Sequence, residues 1–439
     1  MARIYPFRAW RYSLPAVRLD EVATQPYDKI TPAMQQGYYQ RSPYNLVRII
    51  LGLPELFDAE KGESVYTRAA RDFKAWRDRG VLVQEKSPCI FAYSQRFRVP
   101  GTGVEKERRG FIALGKLYEY AERVVFRHEQ TLSKPKSDRL NLLRATRAHF
   151  GQIFMLYSDP AGSVEKILYE GSGAADAEVT DEYGVAHRIW RIDDAATIRL
   201  LATAMADKKL IIADGHHRYE TALNYAKEHA PAKTAATETN SLPLPHPAYP
   251  EAAAMMTFVN MDADGLVILP THRVVHGLAA FDAEGFASAA EPFFTVEALA
   301  EGGAADLVAR LGDERGPAFV AVTRTGAFLL RSRQETAALA GVPERQRQLD
   351  LTHLHALVLD KLLGLDADKV REQTNLRYLR DAGEAVEQVR RGEADVAFLT
   401  KPVTMEQLRE VAFAGDVMPQ KSTDFYPKLL SGLAIYALE

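Results

Sequence analysis

The sequence predicts a mixed α+β protein. Short apolar runs bounded by turn residues are interspersed with stretches whose apolar residues recur at helical spacing, and the two kinds alternate irregularly. No internal repeat is visible, which argues against a solenoid. With 439 residues the chain is long enough for two or three domains at ~100–200 residues each, and its 47% hydrophobic and 26% charged content is that of an ordinary globular protein. Such a chain can bury a large core without a disulfide or structural metal.

Near the start, VATQPYDKITP (22–32) carries two prolines and reads as a loop. SVYTRAARDFKAWRDRGVL places Val65, Ala69, Phe73 and Trp76 on one helical face, with Gly80 as the stop. CIFAYSQRF (89–97) and RGFIALGKLYEY (109–120) read as strands. RHEQTLSKPKSDR (127–139) is polar, is interrupted by Pro135 and reads as a loop, with Ser137 capping a helix through LNLLRATRAHF. QIFMLYSD is a strand, and a helix is expected over 195–206. KLIIADGHHRYETALNYAKEH reads as strand, turn and helix, with Tyr219, Ala222, Leu223 and Ala226 on one apolar face. The Pro-, Thr- and Ala-rich stretch after His229 is a linker or mobile loop. Beyond it, MMTFVNM and LVILP are strands ending at THRVVHGL, FVAVTRTGAFLLRS is a hairpin, and LDLTHLHALVLDKLLG is a helix. The tail from Asn375 reads strand, helix, strand, helix. The expected division is a phosphate-binding region over 1–230, a linker over 231–250 and a C-terminal α/β region over 251–439.

Net charge is −3, which argues against a broad polyanion-binding surface but leaves room for a local basic pocket. Cys89 is the sole cysteine, so disulfide frameworks and cysteine zinc sites are excluded. The N-terminus lacks a signal-peptide apolar stretch, and no run reaches the ~18 apolar residues of a membrane span. The expected compartment is the cytoplasm.

The densest chemistry is ADGHHRYE (213–220). A strand that feeds a glycine turn into a helix leaves backbone N–H groups free to bind an anion. Gly215 lets a ligand approach the backbone. Arg218 lies in the first helical turn, where a cation opposes the helix dipole unless an anion sits nearby. His216 and His217 add donors when protonated. Together they suggest a phosphate site. Two other readings stand beside it: Asp214 as a helix cap with surface histidines, and a metal site. The second is disfavoured because adjacent histidines do not face one metal on a regular helix.

ADGHHRYETAL resembles the signature of the bacterial and archaeal family called domain of unknown function 1015. PFRAW, QPYDKI, HEQT…K…DR (128–139), LPTHRVV (269–275) and MPQKSTDFYPKLLSGL (418–433) resemble its other motifs, in order. DGHHR also resembles the ParB/sulfiredoxin-like superfamily, which includes CTP-binding partition proteins, sulfiredoxin and a free serine kinase. That resemblance implies a ParB/sulfiredoxin-like core whose turn cradles nucleotide phosphates. It also implies that Glu129 faces the turn and acts as the base.

The 127–139 segment supplies the residue types of phosphoryl transfer: Lys134 and Arg139 as cations, and Glu129 as base or Mg²⁺ ligand. His272 and Arg273 follow an apolar strand, where ligand groups often project, and Lys421, Ser422 and Thr423 offer further anion contacts. There is no P-loop, Rossmann fingerprint or GxSxG elbow.

The first expectation is therefore a phosphotransferase acting on a small hydroxyl compound, perhaps serine. Asp214, Gly215, His216, His217 and Arg218 would hold ADP, ATP or CTP, and Mg²⁺ would be shared by Glu129 and Asp214. Catalytic roles would fall to Glu129, Asp214, His216 and His217. The second is a nucleotide-responsive or DNA-associated regulator, disfavoured by the charge. The third is a metal-dependent hydrolase using Asp214, His216, His217 and His128 or His272.

Overall fold

The computed structural model describes residues 2–54, 63–130, 133–231, 244–300, 302–333 and 337–439. The expected linker lies largely outside them, as does the side chain of Lys134. The chain folds into two compact units, the first from 1–127, 131–267 and 427–439, the second from 128–130 and 268–426.

The first unit is built on a nine-stranded mixed sheet. Across it run Val125–Phe126, Leu210–Asp214, Ile153–Tyr157, Ala253–Asn260, Glu105–Lys116, Ile90–Arg98, Ala186–Ile192 and Ala177–Thr180, with Ile4–Tyr5 also paired to Glu105–Lys116. Leu210–Asp214 is antiparallel to Ile153–Tyr157 and parallel to Val125–Phe126. Alternate residues such as Ile90 and Ala92, Phe111 and Ala113, and Ile153 and Met155 enter one core, as the two-residue period of strands requires. The buried Tyr219, Ala222 and Ala226 face of helix His216–Glu228 joins the same core, with Leu223 packed against it.

A second core of this unit gathers Val22, Leu46, Ala69, Phe73, Trp76, Leu142 and Phe150. Helix Val65–Asp78 turns its predicted face inward. Ser64 and Thr67 form a capping box at its start, an arrangement worth about 1 kcal/mol.

Two expectations are corrected here. The segment read as a loop to Arg139 is helical from Ser133 to Thr146. A proline in the first turn gives up an N–H that has no helical partner, so Pro135 does not delay the helix. The expected boundary at 250 is also displaced. Ala253–Asn260 lies inside the sheet, between Ile153–Tyr157 and Glu105–Lys116. The tail then returns to the first unit, where Tyr436–Ala437 pairs with Ala148–His149 and Thr24 bridges Ser431.

The second unit carries a six-stranded antiparallel sheet in the order Phe294–Leu299, Ala327–Ser332, Ala318–Val322, Val396–Leu399, His272–Val275, Leu376–Leu379. The predicted hairpin across Thr325–Gly326 is present, and so is the strand, helix, strand, helix tail, with helices Ala382–Arg390 and Met405–Ala414. Leu307, Leu311, Val386 and Val389 pack onto Val274, Val320, Leu329 and Ala397. The predicted helix from Leu349 begins as an α-turn over Asp350–His353 and widens to a π-helix over Leu354–Leu362. HRVV forms a strand of its own rather than the end of one.

Candidate anion-binding site

Leu210–Asp214 is buried up to Ala213, and its pairing with Ile153–Tyr157 becomes irregular between Ile212 and Asp214. Gly215 then turns the chain with φ +92° and serves as the N-cap of helix His216–Glu228. This left-handed backbone suits glycine. A Cβ at Gly215 would also lie 3.0 Å from the Arg218 Nε. No side chain caps this helix start, so the reading of Asp214 as a simple helix cap fails. The first-turn N–H groups keep their partial positive charge.

Arg218 folds back over the turn. One guanidinium nitrogen donates to the Gln152 carbonyl, another to Asp214 Oδ2 at 3.2 Å. Gln152 is fixed in turn: its amide donates to the Leu430 carbonyl at 3.3 Å and accepts from Thr257 Oγ1 at 2.6 Å. Burial would raise the acidity constant of Asp214, but Lys428, Arg218 and Lys29 together hold its carboxyl well below the usual range. The buried Arg108 also feels the Asp214 charge. It is held by Gln95, at 3.0 Å from Nε, and by the Pro427 carbonyl at 2.5 Å. Four basic groups from distant parts of the sequence thus surround one carboxylate at a strand end. Sequence reasoning missed Lys29, Arg108 and Gln152, and left Lys428 out of the phosphate contacts. The motifs QPYDKI and FYPK held the signal for Lys29 and Lys428.

His216 corrects another expectation. Its side chain is buried, and burial pushes the imidazole down to about 4, against the pull of Asp214. It is neutral near pH 7 and brings no positive charge. His217 is half-buried.

The 127–139 segment does meet this helix within the first unit. Lys136 Nζ reaches Glu220 at 3.0 Å and Arg127 reaches it at 3.5 Å. Arg139 stacks over the Tyr27 ring at 4.0 Å and donates to the Ile50 carbonyl at 2.8 Å. Arg139 and Arg218 line the same cavity, which encloses about 570 Å³ of space open to solvent.

The remaining predicted residues belong to the second unit. Glu129 is half-buried, and its charge reaches Arg273 and Tyr378. His128 Nε2 pairs with Thr423 Oγ1 at 2.8 Å, and its carbonyl accepts from the Met418 N–H. His272 and Arg273 do not project from a strand end. Both are buried in the sheet, where His272 Nδ1 accepts from the Thr400 N–H and Arg273 donates to the carbonyls of Thr271, Gln420 and Lys421. Ser422 donates to the Pro419 carbonyl at 2.5 Å. These partners make His272, Arg273, Ser422 and Thr423 structural rather than anion-binding, and Lys421 shares their turn with φ +57°.

The donor set does not fit a metal. Among the described residues no three of His, Cys, Asp and Glu stand together to hold one, which removes the observation that the hydrolase reading needed. Asp214 already faces several cations, so a divalent ion there would meet like charge. Among the described residues no helix is long and apolar enough to cross a membrane.

The sequence profile of the family described as Protein of unknown function (DUF1015) matches residues 4–352. The chain belongs to this family. No curated protein matches it by sequence. Among solved structures, this DUF1015 protein resembles free serine kinase in complex with AMP, at 16% identity and a TM-score of 0.34, over 69% of this chain and 83% of that one. It also resembles a conserved hypothetical protein from Pyrococcus furiosus, at 14% identity and a TM-score of 0.34, over 70% and 89%. A third is SbnI with C-terminal truncation from Staphylococcus aureus, at 10% identity and a TM-score of 0.34, over 73% and 85%.

Proposed function

We propose that this DUF1015 protein is a nucleotide-dependent phosphotransferase whose Asp214–Arg218 turn holds the phosphates and whose acceptor is a small hydroxyl compound, with serine the first candidate. One observation carries the reading: a helix start with no side-chain cap meets Lys29, Arg108, Arg218 and Lys428 around a single carboxylate at a strand end. Backbone N–H groups at a helix start and converging cations are what a polyphosphate needs. Asp214 orients Arg218 through their hydrogen bond. In phosphoryl transfer most of the catalysis is positioning and charge stabilisation, and this cluster supplies both. His216, neutral and buried, supports the turn from the core side.

Glu129 takes the general-base role that the family resemblance implies. General-base help is worth ~10²–10⁴ in rate. Phosphoryl transfer from ADP or ATP to serine, followed by phosphorus NMR, is the test. Glu129→Gln is expected to lower turnover by about that factor while nucleotide affinity stays within twofold. Turnover unchanged in Glu129→Gln would remove that role. No transfer to any small hydroxyl acceptor by the wild type would remove the phosphotransferase reading.

A further inference from the structure

The cavity shared by Arg139 and Arg218 has a chemistry that the phosphate turn does not use. Most of its wall is apolar or aromatic, with Ile50, Leu142, Leu143 and Phe150 among its residues. Tyr27 and the Arg139 guanidinium lie stacked on its side, 4.0 Å apart. Two polar groups face this wall. One is His149, a buried imidazole held neutral near pH 7 by burial and stacked on Tyr436. The other is the Thr221 hydroxyl, which is buried and has no hydrogen-bond partner among the described residues.

A buried hydroxyl without a partner is a standing cost to the folded state. Valine has the same shape and would avoid that cost. A threonine in this place is explained by a ligand that completes the bond. Thr221 follows Arg218 by three residues, so the two lie on one face of the helix. It stands ~7.5 Å along the axis from the helix start at His216. A ligand gripped by an anion at the helix start and reaching this cavity is therefore charged at one end. Its other end is flat, uncharged and able to hydrogen-bond. A nucleoside monophosphate or diphosphate has that form, whereas serine and inorganic phosphate lack the flat end.

Building on the phosphate-site reading above, we infer that this cavity receives the nucleoside half of the nucleotide, with Thr221 as a hydrogen-bonding group to it and the Tyr27–Arg139 stack as a platform for its flat face. Base stacking on aromatic and guanidinium surfaces is a general recognition mode.

The experiment is a pair of calorimetric titrations, ADP and inorganic pyrophosphate, into wild type, Thr221→Val and Leu143→Trp. The wild type is expected to bind ADP at least tenfold more tightly than pyrophosphate. Leu143→Trp, which fills the cavity, is expected to lose that advantage while pyrophosphate binding stays within twofold. Thr221→Val is expected to weaken ADP binding three- to tenfold, to leave pyrophosphate unchanged and to raise the melting temperature of the ligand-free protein. A purely structural threonine would not give that opposition between stability and affinity. ADP bound as tightly by Thr221→Val and by a folded Leu143→Trp as by wild type would overturn the inference and leave the phosphate site standing. Pyrophosphate bound as tightly as ADP by the wild type would do the same. Binding of neither ligand would remove the phosphate site as well.

Discussion

A histidine followed by an arginine comes after an apolar strand twice in this chain, and the two pairs have different fates. In the first unit Leu210–Asp214 stops at Gly215, so His217 and Arg218 leave the sheet and open a helix. In the second unit no such turn falls between Thr271 and His272. The ladder continues through His272–Val275, and Arg273 pairs with Phe398 on one side and Tyr378 on the other. Its guanidinium is spent on three carbonyls. A basic residue's role is thus set by where the hydrogen-bonded ladder ends, and a glycine in the left-handed region ends it in only one of the two places.

The largest expected effect that sharpens this comparison is in the second unit. Arg273→Met leaves buried carbonyls without donors at about 1–3 kcal/mol each. It should lower stability by about 3 kcal/mol in urea unfolding, with pyrophosphate affinity unchanged. Normal stability with lost affinity would reverse the roles assigned to the two pairs.

Acid should act with a similar size through His216. Its folded value of about 4 lies below the usual 6.5, so the unfolded chain binds the proton first as pH falls. Its contribution is present above pH 6.5, is lost between pH 6.5 and about 4, and amounts to about 3 kcal/mol. Urea midpoints measured across that window should fall more steeply for wild type than for His216→Gln. Equal slopes would mean that His216 is not held neutral. The depressed Asp214 acts in a lower window, as pH drops below its ordinary 3.8.

Gly215→Ala is the smaller and more local change. The left-handed backbone costs an alanine about 1–2 kcal/mol, and the new methyl meets the Arg218 Nε at 3.0 Å. Stability should fall by that amount, and pyrophosphate affinity should fall with it because the guanidinium is displaced. A loss of stability alone would confine Gly215 to the fold.

Local signals carried much of this structure. The face of Val65–Asp78, the strand–glycine–helix at 210–228 and the 325–326 hairpin each follow from neighbours a few residues apart. What the sequence hid was long-range. The return of Pro427–Glu439 to the first unit brings Lys428 to Asp214, and no periodicity reports a pairing over such a separation. Lys29 sits in a short 3₁₀ turn between two prolines, where a cation looks like any solvated loop residue. Arg108 lies within a strand and gives no hint of the Gln95 and Pro427 partners that let it be buried. His272 and Arg273 were misread for the opposite reason: their residue types suggested a ligand, while their burial depended on strands more than 100 residues further along.

The most direct test of the central claim is a calorimetric titration of inorganic pyrophosphate into wild type and Arg218→Ala. The account predicts saturable binding to the wild type and a 10- to 100-fold weaker Kd in the variant, about 1.4–2.7 kcal/mol, with the variant still folded. Equal affinity in the two proteins, or no binding to the wild type, would contradict it.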